Sequence, residues 1–180
     1  MILGRGAAGK SAFARQLGDL TGLPVIELDT LFWQPGLTPA ERAGWAARQH
    51  ELRSRDTWII DGDLGPCDQE LGMRLSAADT IIVLDLAFPR VAWRTLRWGR
   101  ERAGYWRWVR AYRRRHLPQI RTVITANAPR ARLLVLRSPG AVRRLISALR
   151  QQATPGSQPW RPGTAAGRRQ RRAPLRTPCA

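Results

Sequence analysis

Eight residues near the start of the chain have the types and spacing of a phosphate-binding loop. They run from Gly4 to Ser11 and fit the pattern G-x-x-x-x-G-K-[ST] at every position. In such a loop, backbone N–H groups point at phosphate oxygens, and the N-terminus of the next helix adds partial positive charge. The Lys10 ammonium can follow the β- and γ-phosphates of ATP, and the Ser11 hydroxyl can bind Mg²⁺. The residues predicted to hold the nucleotide are Gly4, Gly6, Ala7, Ala8, Gly9, Lys10, Ser11 and Ala12.

Lys10 is the only lysine among the 31 basic residues of the chain, and the others are all arginine. This usage indicates that the position needs a compact point charge on a flexible stem. A chance match is the alternative, because the pattern fixes only four positions. The residues that follow favour a true loop, since Phe13, Ala14 and Leu17 are spaced as on one helix face and Gly22 can end that helix.

Acidic residues end three further apolar runs, each of which is predicted to be a strand. They are Asp29, the triplet Asp61-Gly62-Asp63, and Asp85. In open α/β sheets, ligands bind beyond the carboxyl ends of the strands. The phosphate-binding loop and these carboxylates are therefore predicted to converge on one site.

Two of these carboxylates have predicted roles. Asp85 follows Ile-Ile-Val-Leu, the setting of a carboxylate that holds Mg²⁺ directly or through water. Asp29 is a candidate for orienting an acceptor hydroxyl beside the γ-phosphate and accepting its proton. The alternative for both, and for Asp63, is a cap or turn residue. The stretch Leu31-Phe32-Trp33 either walls a substrate pocket or, more simply, packs in the core.

A basic helical region is predicted from residue 89 to 126, with a break near Gly99 and Gly104. Phosphoryl transfer needs positive charge over the transferring group, and arginines on a lid commonly supply it. Arginines interleaved with tryptophans also suit single-stranded nucleic acid. A third account is a helical hairpin with tryptophans packed inward and arginines in solvent. The arginines of this region include Arg94, Arg97, Arg100, Arg102, Arg107, Arg110 and Arg113 to Arg115, and the tryptophans are Trp93, Trp98, Trp106 and Trp108.

The net charge of +18 is distributed unevenly along the 180 residues. Residues 1–85 hold eight basic and twelve acidic side chains, whereas residues 86–180 hold 23 basic side chains and one acid, Glu101. Such asymmetry usually indicates a polyanionic partner for the basic half. Nucleotide phosphates and a nucleic-acid backbone both fit, and an arginine-rich compositional habit is the third account.

Length and composition also indicate the domain count and argue against membrane-spanning and disulfide-rich proteins. The length suits one domain with a substantial core. No apolar run approaches the roughly 20 residues that span a bilayer, so no membrane association is expected. Cys67 and Cys179 are too few for a disulfide framework, and the cytoplasm is the expected compartment.

Strands and helices are predicted to alternate as far as Arg150, which favours an α/β fold with a parallel sheet between helices. Beyond Arg150, residues 151–180 are rich in Pro, Gly, Gln and Arg and are predicted to be disordered. The predicted strands after the loop are 25–29, 57–61, 80–86 and 132–136. The predicted helices include one that Thr38-Pro39-Ala40-Glu41 caps, running to Arg53, and one from Pro139 to Arg150.

The ordered series of motifs over residues 1–150 resembles the adenylate-kinase-related P-loop proteins of bacteria, whose members are often labelled topology modulation protein. The segments that carry the resemblance are Gly4–Ser11, Leu23–Trp33, Trp58–Gly62, Ala78–Leu86, Tyr112–Arg115 and Leu136–Pro139. It implies a three-layer α/β/α fold like that of nucleoside monophosphate kinases, with strand order 2-3-1-4-5 and a helical lid.

The same resemblance implies site residues. Gly4 to Ser11 would bind ATP phosphates and Mg²⁺, and Arg113 to Arg115 would belong to a lid, in which Arg113 and Arg114 are the predicted catalytic arginines. The loop containing Arg137 would lie near the nucleotide base. Only Met1, Ile2 and Leu3 precede the loop, so the first strand appears truncated, and we expect the natural protein to start upstream.

The leading hypothesis is an ATP-dependent kinase in which Lys10 and the loop hold the phosphates, Ser11 and Asp85 hold Mg²⁺, and Asp29 orients a small acceptor. The acceptor would be a nucleotide or a hydroxylated metabolite. One alternative is a nucleic-acid-binding P-loop protein that uses the arginine-rich half. Another is an inactive regulator that binds nucleotide.

Overall fold

The computed structural model describes residues 1–34, 38–64, 70–97 and 103–152. This part of the chain contains seven strands and eight α-helices, and a π-helical turn precedes α7. In order they are β1 (Ile2–Gly4), α1 (Lys10–Thr21), β2 (Val25–Glu27), α2 (Leu28–Phe32), β3 (Trp33–Gln34), β4 (Thr38–Pro39), α3 (Arg42–Arg53), β5 (Ile59–Asp61), α4 (Leu71–Ser76), β6 (Thr80–Leu84), α5 (Phe88–Arg97), α6 (Ala103–Ala111), the π-helical turn (Tyr112–His116), α7 (Leu117–Asn127), β7 (Arg132–Leu136) and α8 (Pro139–Gln152).

Five parallel strands form the main sheet in the order β2-β5-β1-β6-β7. Counted among themselves along the chain, these strands run 2-3-1-4-5. β1 is central, since Ile2 lies opposite both Asp61 and Ile82. β3 and β4 form a separate antiparallel pair, which the sequence did not predict. The predicted α/β class with a parallel sheet is confirmed.

Helices cover both faces of the sheet. Since successive residues of a strand point to opposite faces, each strand contributes side chains to two cores. Leu3, Ile81 and Val83 face one core, which α4 and α7 complete. Ile2 and Leu84 face a second core, completed by α1 and α8. The apolar strands predicted to be buried on both faces are therefore the middle layer of three.

A third cluster packs α2 and α3 at the β2 edge of the sheet. Phe32 is buried there, and its ring centroid lies 5.0 Å from that of Trp45. Trp33 packs against the same cluster, with its ring centroid 4.8 Å from that of Phe32. Phe32 and Trp33 therefore agree with the simpler account of this stretch, core packing, whereas Leu31 is exposed.

The predicted start of α3 was wrong. Thr38 and Pro39 form β4 instead of capping the helix, and the helix begins at Arg42. Glu41 is the N-cap, because its carboxylate accepts hydrogen bonds from the backbone N–H groups of Ala43 and Gly44. Pairing with β3 outweighed the local capping pattern.

Other predicted boundaries differ by one or two residues. β2 ends at Glu27, because the chain turns directly into α2, and this places Asp29 in the first turn of a helix. β5 begins at Ile59 and β6 ends at Leu84, whereas β7 has the predicted bounds. α8 continues to Gln152.

Parts of two predictions lie outside the described residues: the break near Gly99 and the predicted disorder of residues 153–180. The division of the chain at residue 150 stays a prediction. No helix within the described ranges has both the length and the apolar character required to cross a membrane.

Candidate active site

The phosphate-binding loop leaves the central strand through a backbone that only glycine can follow. Gly4 has a φ of +144°, and a Cβ atom there would lie 2.6 Å from the carbonyl oxygen of Leu84. Ala7 and Gly9 also have positive φ, at 58° and 91°. Left-handed residues alternating with ordinary ones turn successive N–H groups toward one side, as an anion site requires.

Lys10 begins α1 and folds back over the loop. Its Nζ donates a 2.8 Å hydrogen bond to the Gly4 carbonyl oxygen and lies 3.5 Å from that of Arg5. Within the described residues, no side chain caps the N-terminus of α1. The ammonium group and the first turn of the helix therefore supply positive charge at the same place.

Asp61 is a site residue that the sequence analysis singled out only as part of a strand end. It is the last residue of β5 and is 4% exposed. Burial raises the pKa of Asp61, while the nearby Ser11 side chain and the charge of Lys10 lower it. Its Oδ1 atom has no hydrogen-bond partner among the described residues.

A signal for Asp61 was present in the predicted strand order. That order puts the third strand beside the strand of the loop, so the carboxylate ending the third strand must lie near Ser11. Asp63, two residues later, contacts the loop itself, because Gly4 N–H points at its Oδ2 at 3.4 Å.

Asp85 follows β6, on the other side of the central strand, and pairs with a predicted lid arginine. The Nε atom of Arg113 donates to its Oδ1 at 2.8 Å, and Nη2 lies 3.3 Å from its carbonyl oxygen. The Asp85 side chain is 6% exposed and that of Arg113 48%. The hydrogen bond to Asp85 raises the pKa of Arg113. The structure thus joins two of the predicted residues.

The remaining predicted residues are exposed. Asp29 is exposed in α2, and its charge raises the pKa of Asp61, so the two carboxylates are within electrostatic reach of each other. Arg114 is exposed on the π-helical turn, Arg137 is exposed after β7, and Ala12 is exposed on α1.

The tryptophans of the basic region do not share one environment. Trp106 packs edge-on against Phe88, with ring centroids 6.4 Å apart, and Trp93 is exposed. The predicted lid residues Trp98, Arg100 and Arg102, and the side chains of Arg94, Arg97 and Trp108, lie outside the described part of the structure.

The donors present at the loop fit a magnesium ion that is completed by nucleotide. The described ranges contain no group of three or more His, Cys, Asp or Glu side chains that could hold a metal. Mg²⁺ needs no such cage, since it usually keeps several waters and binds one or two protein oxygens together with substrate phosphates. The Ser11 hydroxyl and the free Oδ1 of Asp61 are oxygens of that kind.

The fold is shared with solved kinases, although no protein-family model and no curated protein matches the sequence. Shikimate kinase from Acinetobacter baumannii, in complex with shikimate, has a TM-score of 0.60 and 20% identity over 83% of this chain and 89% of its own. At 20% identity, this likeness shows that the two proteins share a fold and nothing more.

Two other P-loop kinases match less closely. Shikimate kinase from Aquifex aeolicus has a TM-score of 0.49 and 15% identity, covering 87% of this chain and 100% of its own. A gluconokinase from Sinorhizobium meliloti has a TM-score of 0.47 and 16% identity, covering 84% of this chain and 91% of its own.

Proposed function

We propose that this protein is an ATP-dependent kinase that transfers the γ-phosphoryl group to a hydroxyl of a small molecule. One observation carries the proposal: the loop around Lys10 is formed at the carboxyl end of the central strand, where Lys10 folds back onto the Gly4 carbonyl oxygen and the buried Asp61 carboxylate lies within reach of the charge of Lys10. Positioning and electrostatic stabilisation account for most of the catalysis of phosphoryl transfer. This edge of the sheet supplies groups for both.

The residues at the loop would hold ATP. Lys10 and the N–H groups of Gly4 to Ser11 would bind the phosphates, and Ser11 and Asp61 would hold Mg²⁺, which neutralises charge on the β- and γ-phosphates. We favour Asp61 over the predicted Asp85 as the carboxylate that would hold Mg²⁺, because Asp61 lies near Ser11 whereas Asp85 pairs with Arg113.

Asp29 would act on the acceptor side. It would orient the acceptor hydroxyl and take its proton as the oxygen bonds to the γ-phosphorus. The bond from that phosphorus to the β–γ bridging oxygen breaks, and ADP leaves with the bonding electrons. Arg113 and Arg114 would stabilise the charge that develops on the transferring group, and Arg137 would lie near the base.

The acceptor class we propose is a small hydroxylated metabolite or a nucleotide. The structure bound to shikimate supports a hydroxylated metabolite, and the motif resemblance to the topology modulation proteins is compatible with either class. None of the comparisons supports the nucleic-acid alternative.

Calorimetric titration with Mg-ATP tests the first half of this proposal. We expect Lys10→Ala to weaken ATP binding at least about tenfold, because it removes an ammonium group that folds over the loop. Arg121→Ala, in an exposed position on α7, is the matched control and should bind ATP like the wild type. Unchanged affinity in the Lys10→Ala protein would contradict the proposal.

A phosphotransfer screen tests the second half. Wild-type protein with Mg-ATP is offered nucleoside monophosphates and small hydroxylated metabolites, shikimate among them, and ADP release is measured. Turnover with one acceptor that Lys10→Ala abolishes supports a kinase. ATP binding without turnover on any acceptor would instead favour the inactive regulator.

A further inference from the structure

Arg5, the second residue of the phosphate-binding loop, is buried although its side chain carries a charge. It is 2% exposed, and its Nε and Nη1 atoms have no hydrogen-bond partner among the described residues. Its guanidinium carbon lies 5.5 Å from the centre of the Tyr112 ring, a cation–π contact. Burying a cation is costly unless a negative charge compensates it.

A negative charge that acts on Arg5 follows the neighbouring strand. Gly4 of β1 lies opposite Leu84 of the parallel strand β6, so Arg5 and Asp85 leave the sheet side by side. Burial lowers the pKa of Arg5, the charge of Asp85 raises it, and the charge of Arg113 lowers it. These three charges therefore form one cluster beneath the loop.

Arg113 reaches the same carboxylate from the solvent side. It makes the 2.8 Å bond to Asp85, yet about half of its side chain is exposed, whereas Arg5 is enclosed. Arg113 thus binds the carboxylate directly, whereas Arg5 acts on it through its charge alone, and the charge of Arg113 opposes that of Arg5. The Arg113 side chain is partly open to solvent, and that of Arg5 is not.

We propose that Arg5 is a positioning residue: a permanent counter-ion of Asp85 that makes Arg113 exchangeable. Because Arg5 stays, Arg113 can leave Asp85 for the phosphates of ATP without leaving a buried carboxylate uncompensated. Tyr112 contacts Arg5 and directly precedes Arg113, so it holds the π-helical turn against the loop during the exchange. This inference rests on the proposed function, since ATP supplies the second partner of Arg113.

A double-mutant cycle on the full ligand-free chain tests the charge arrangement. Melting temperatures are compared for the wild type, Arg5→Met, Arg113→Gln and the double variant. We expect Arg113→Gln to lower Tm by about 2–4 °C more in the Arg5→Met background, because Asp85 then loses its last cation. An equal or smaller loss in that background would overturn the proposal.

Two controls separate charge from packing. Arg115 is exposed on the same turn, and Arg115→Gln should lower Tm by the same amount in the wild-type and Arg5→Met backgrounds. Arg5→Lys keeps the positive charge. In this background the loss of Tm caused by Arg113→Gln should be close to its value in the wild type, whereas a pure packing role for Arg5 predicts a loss as large as in the Arg5→Met background. Arg5→Gln replaces Arg5→Met if the latter does not fold.

Mg-ATP titration of the same four proteins tests the exchange. We expect Arg5→Met to weaken ATP binding about fivefold or more, because Arg113 is then held on Asp85, and to have no further effect in the Arg113→Gln background. Equal losses in both backgrounds would overturn the exchange. If the wild type does not bind Mg-ATP, the proposed function and the exchange both fail, while the ligand-free cycle still decides whether Arg5 compensates Asp85.

Discussion

Asp61 is a buried carboxylate at the end of β5, beside the phosphate-binding loop. Its burial lowers the stability of the ligand-free protein but leaves the carboxylate available to a ligand. Burial raises the pKa of its carboxyl group above the ordinary value of 3.8. A carboxyl group whose pKa is raised on folding binds its proton more tightly in the folded state than in the unfolded state. The ionised form therefore destabilises the fold at neutral pH, and this cost disappears as the pH falls toward the ordinary value.

We expect Asp61→Asn to raise the Tm of the ligand-free protein at pH 7, by a shift on the order of 2 °C, because it removes a buried charge. The gain should shrink as the pH is lowered toward 4. The same variant should lose Mg-dependent ATP binding, since the carboxylate is gone. Thermal melts across pH and a magnesium titration in the presence of ATP measure the two effects.

Asp56→Asn is the matched control, because this carboxylate is exposed in the turn before β5. It should change neither Tm nor ATP binding. A clear loss of stability in Asp61→Asn at pH 7 would show that the favourable effects of the Ser11 side chain and of the Lys10 charge on the Asp61 carboxylate outweigh the cost of burial.

At the scale of elements, the site depends on how closely β1 approaches β6. β1 (Ile2–Gly4) is hydrogen-bonded to a strand on each side, and the loop begins at its last residue, Gly4. The left-handed Gly4 makes this possible by placing its bare α-carbon against the backbone of Leu84. A loop with any other residue there would have to move away from the sheet.

Gly4→Ala is therefore expected to destabilise the protein by about 2–4 kcal/mol, through both its φ and the contact of the new Cβ atom with backbone. Gly22→Ala is the control, because Gly22 also has positive φ, at +71°, but has nothing within 4 Å of the position of a Cβ atom. It should cost about 1 kcal/mol. Urea unfolding of both variants measures the difference, and equal costs would contradict the close approach.

At the scale of the whole molecule, charge is separated along the chain. The described residues from 103 to 152 contain no acidic side chain, and Arg113 pairs with Asp85 of the acidic half of the chain. Anionic ligands are drawn to such a surface over distances up to about a Debye length of 10 Å. This attraction suits nucleotide capture and also promotes unspecific binding of polyanions.

We expect binding to mixed-sequence DNA to be unspecific and to weaken at least about tenfold between 50 and 200 mM salt. Deleting residues 151–180 removes six arginines and no acids, which lowers the net charge from +18 to +12. This deletion should reduce the salt dependence measured by fluorescence anisotropy. Sequence-selective DNA binding that persists at 200 mM salt would contradict this prediction and favour the alternative of a nucleic-acid-binding P-loop protein.

Much of the fold could be predicted because its signals are local. Apolar runs marked the five strands of the main sheet, and the glycine spacing from Gly4 to Lys10 marked the loop. Their resemblance to known P-loop proteins also implied the strand order. Boundaries were less predictable at Thr38, where pairing of two short strands outweighed a capping pattern of similar local strength.

The sequence by itself determined that a phosphate-binding loop, several carboxylates and a basic helical region would lie at one edge of a parallel sheet. Only the tertiary structure decided which groups touch. It buried Asp61 within reach of the Lys10 charge, paired Asp85 with Arg113, and buried Arg5 against Tyr112. Local patterns place a residue at the end of a strand, but contacts of about 3 Å depend on strand register and on packing between elements distant in the chain.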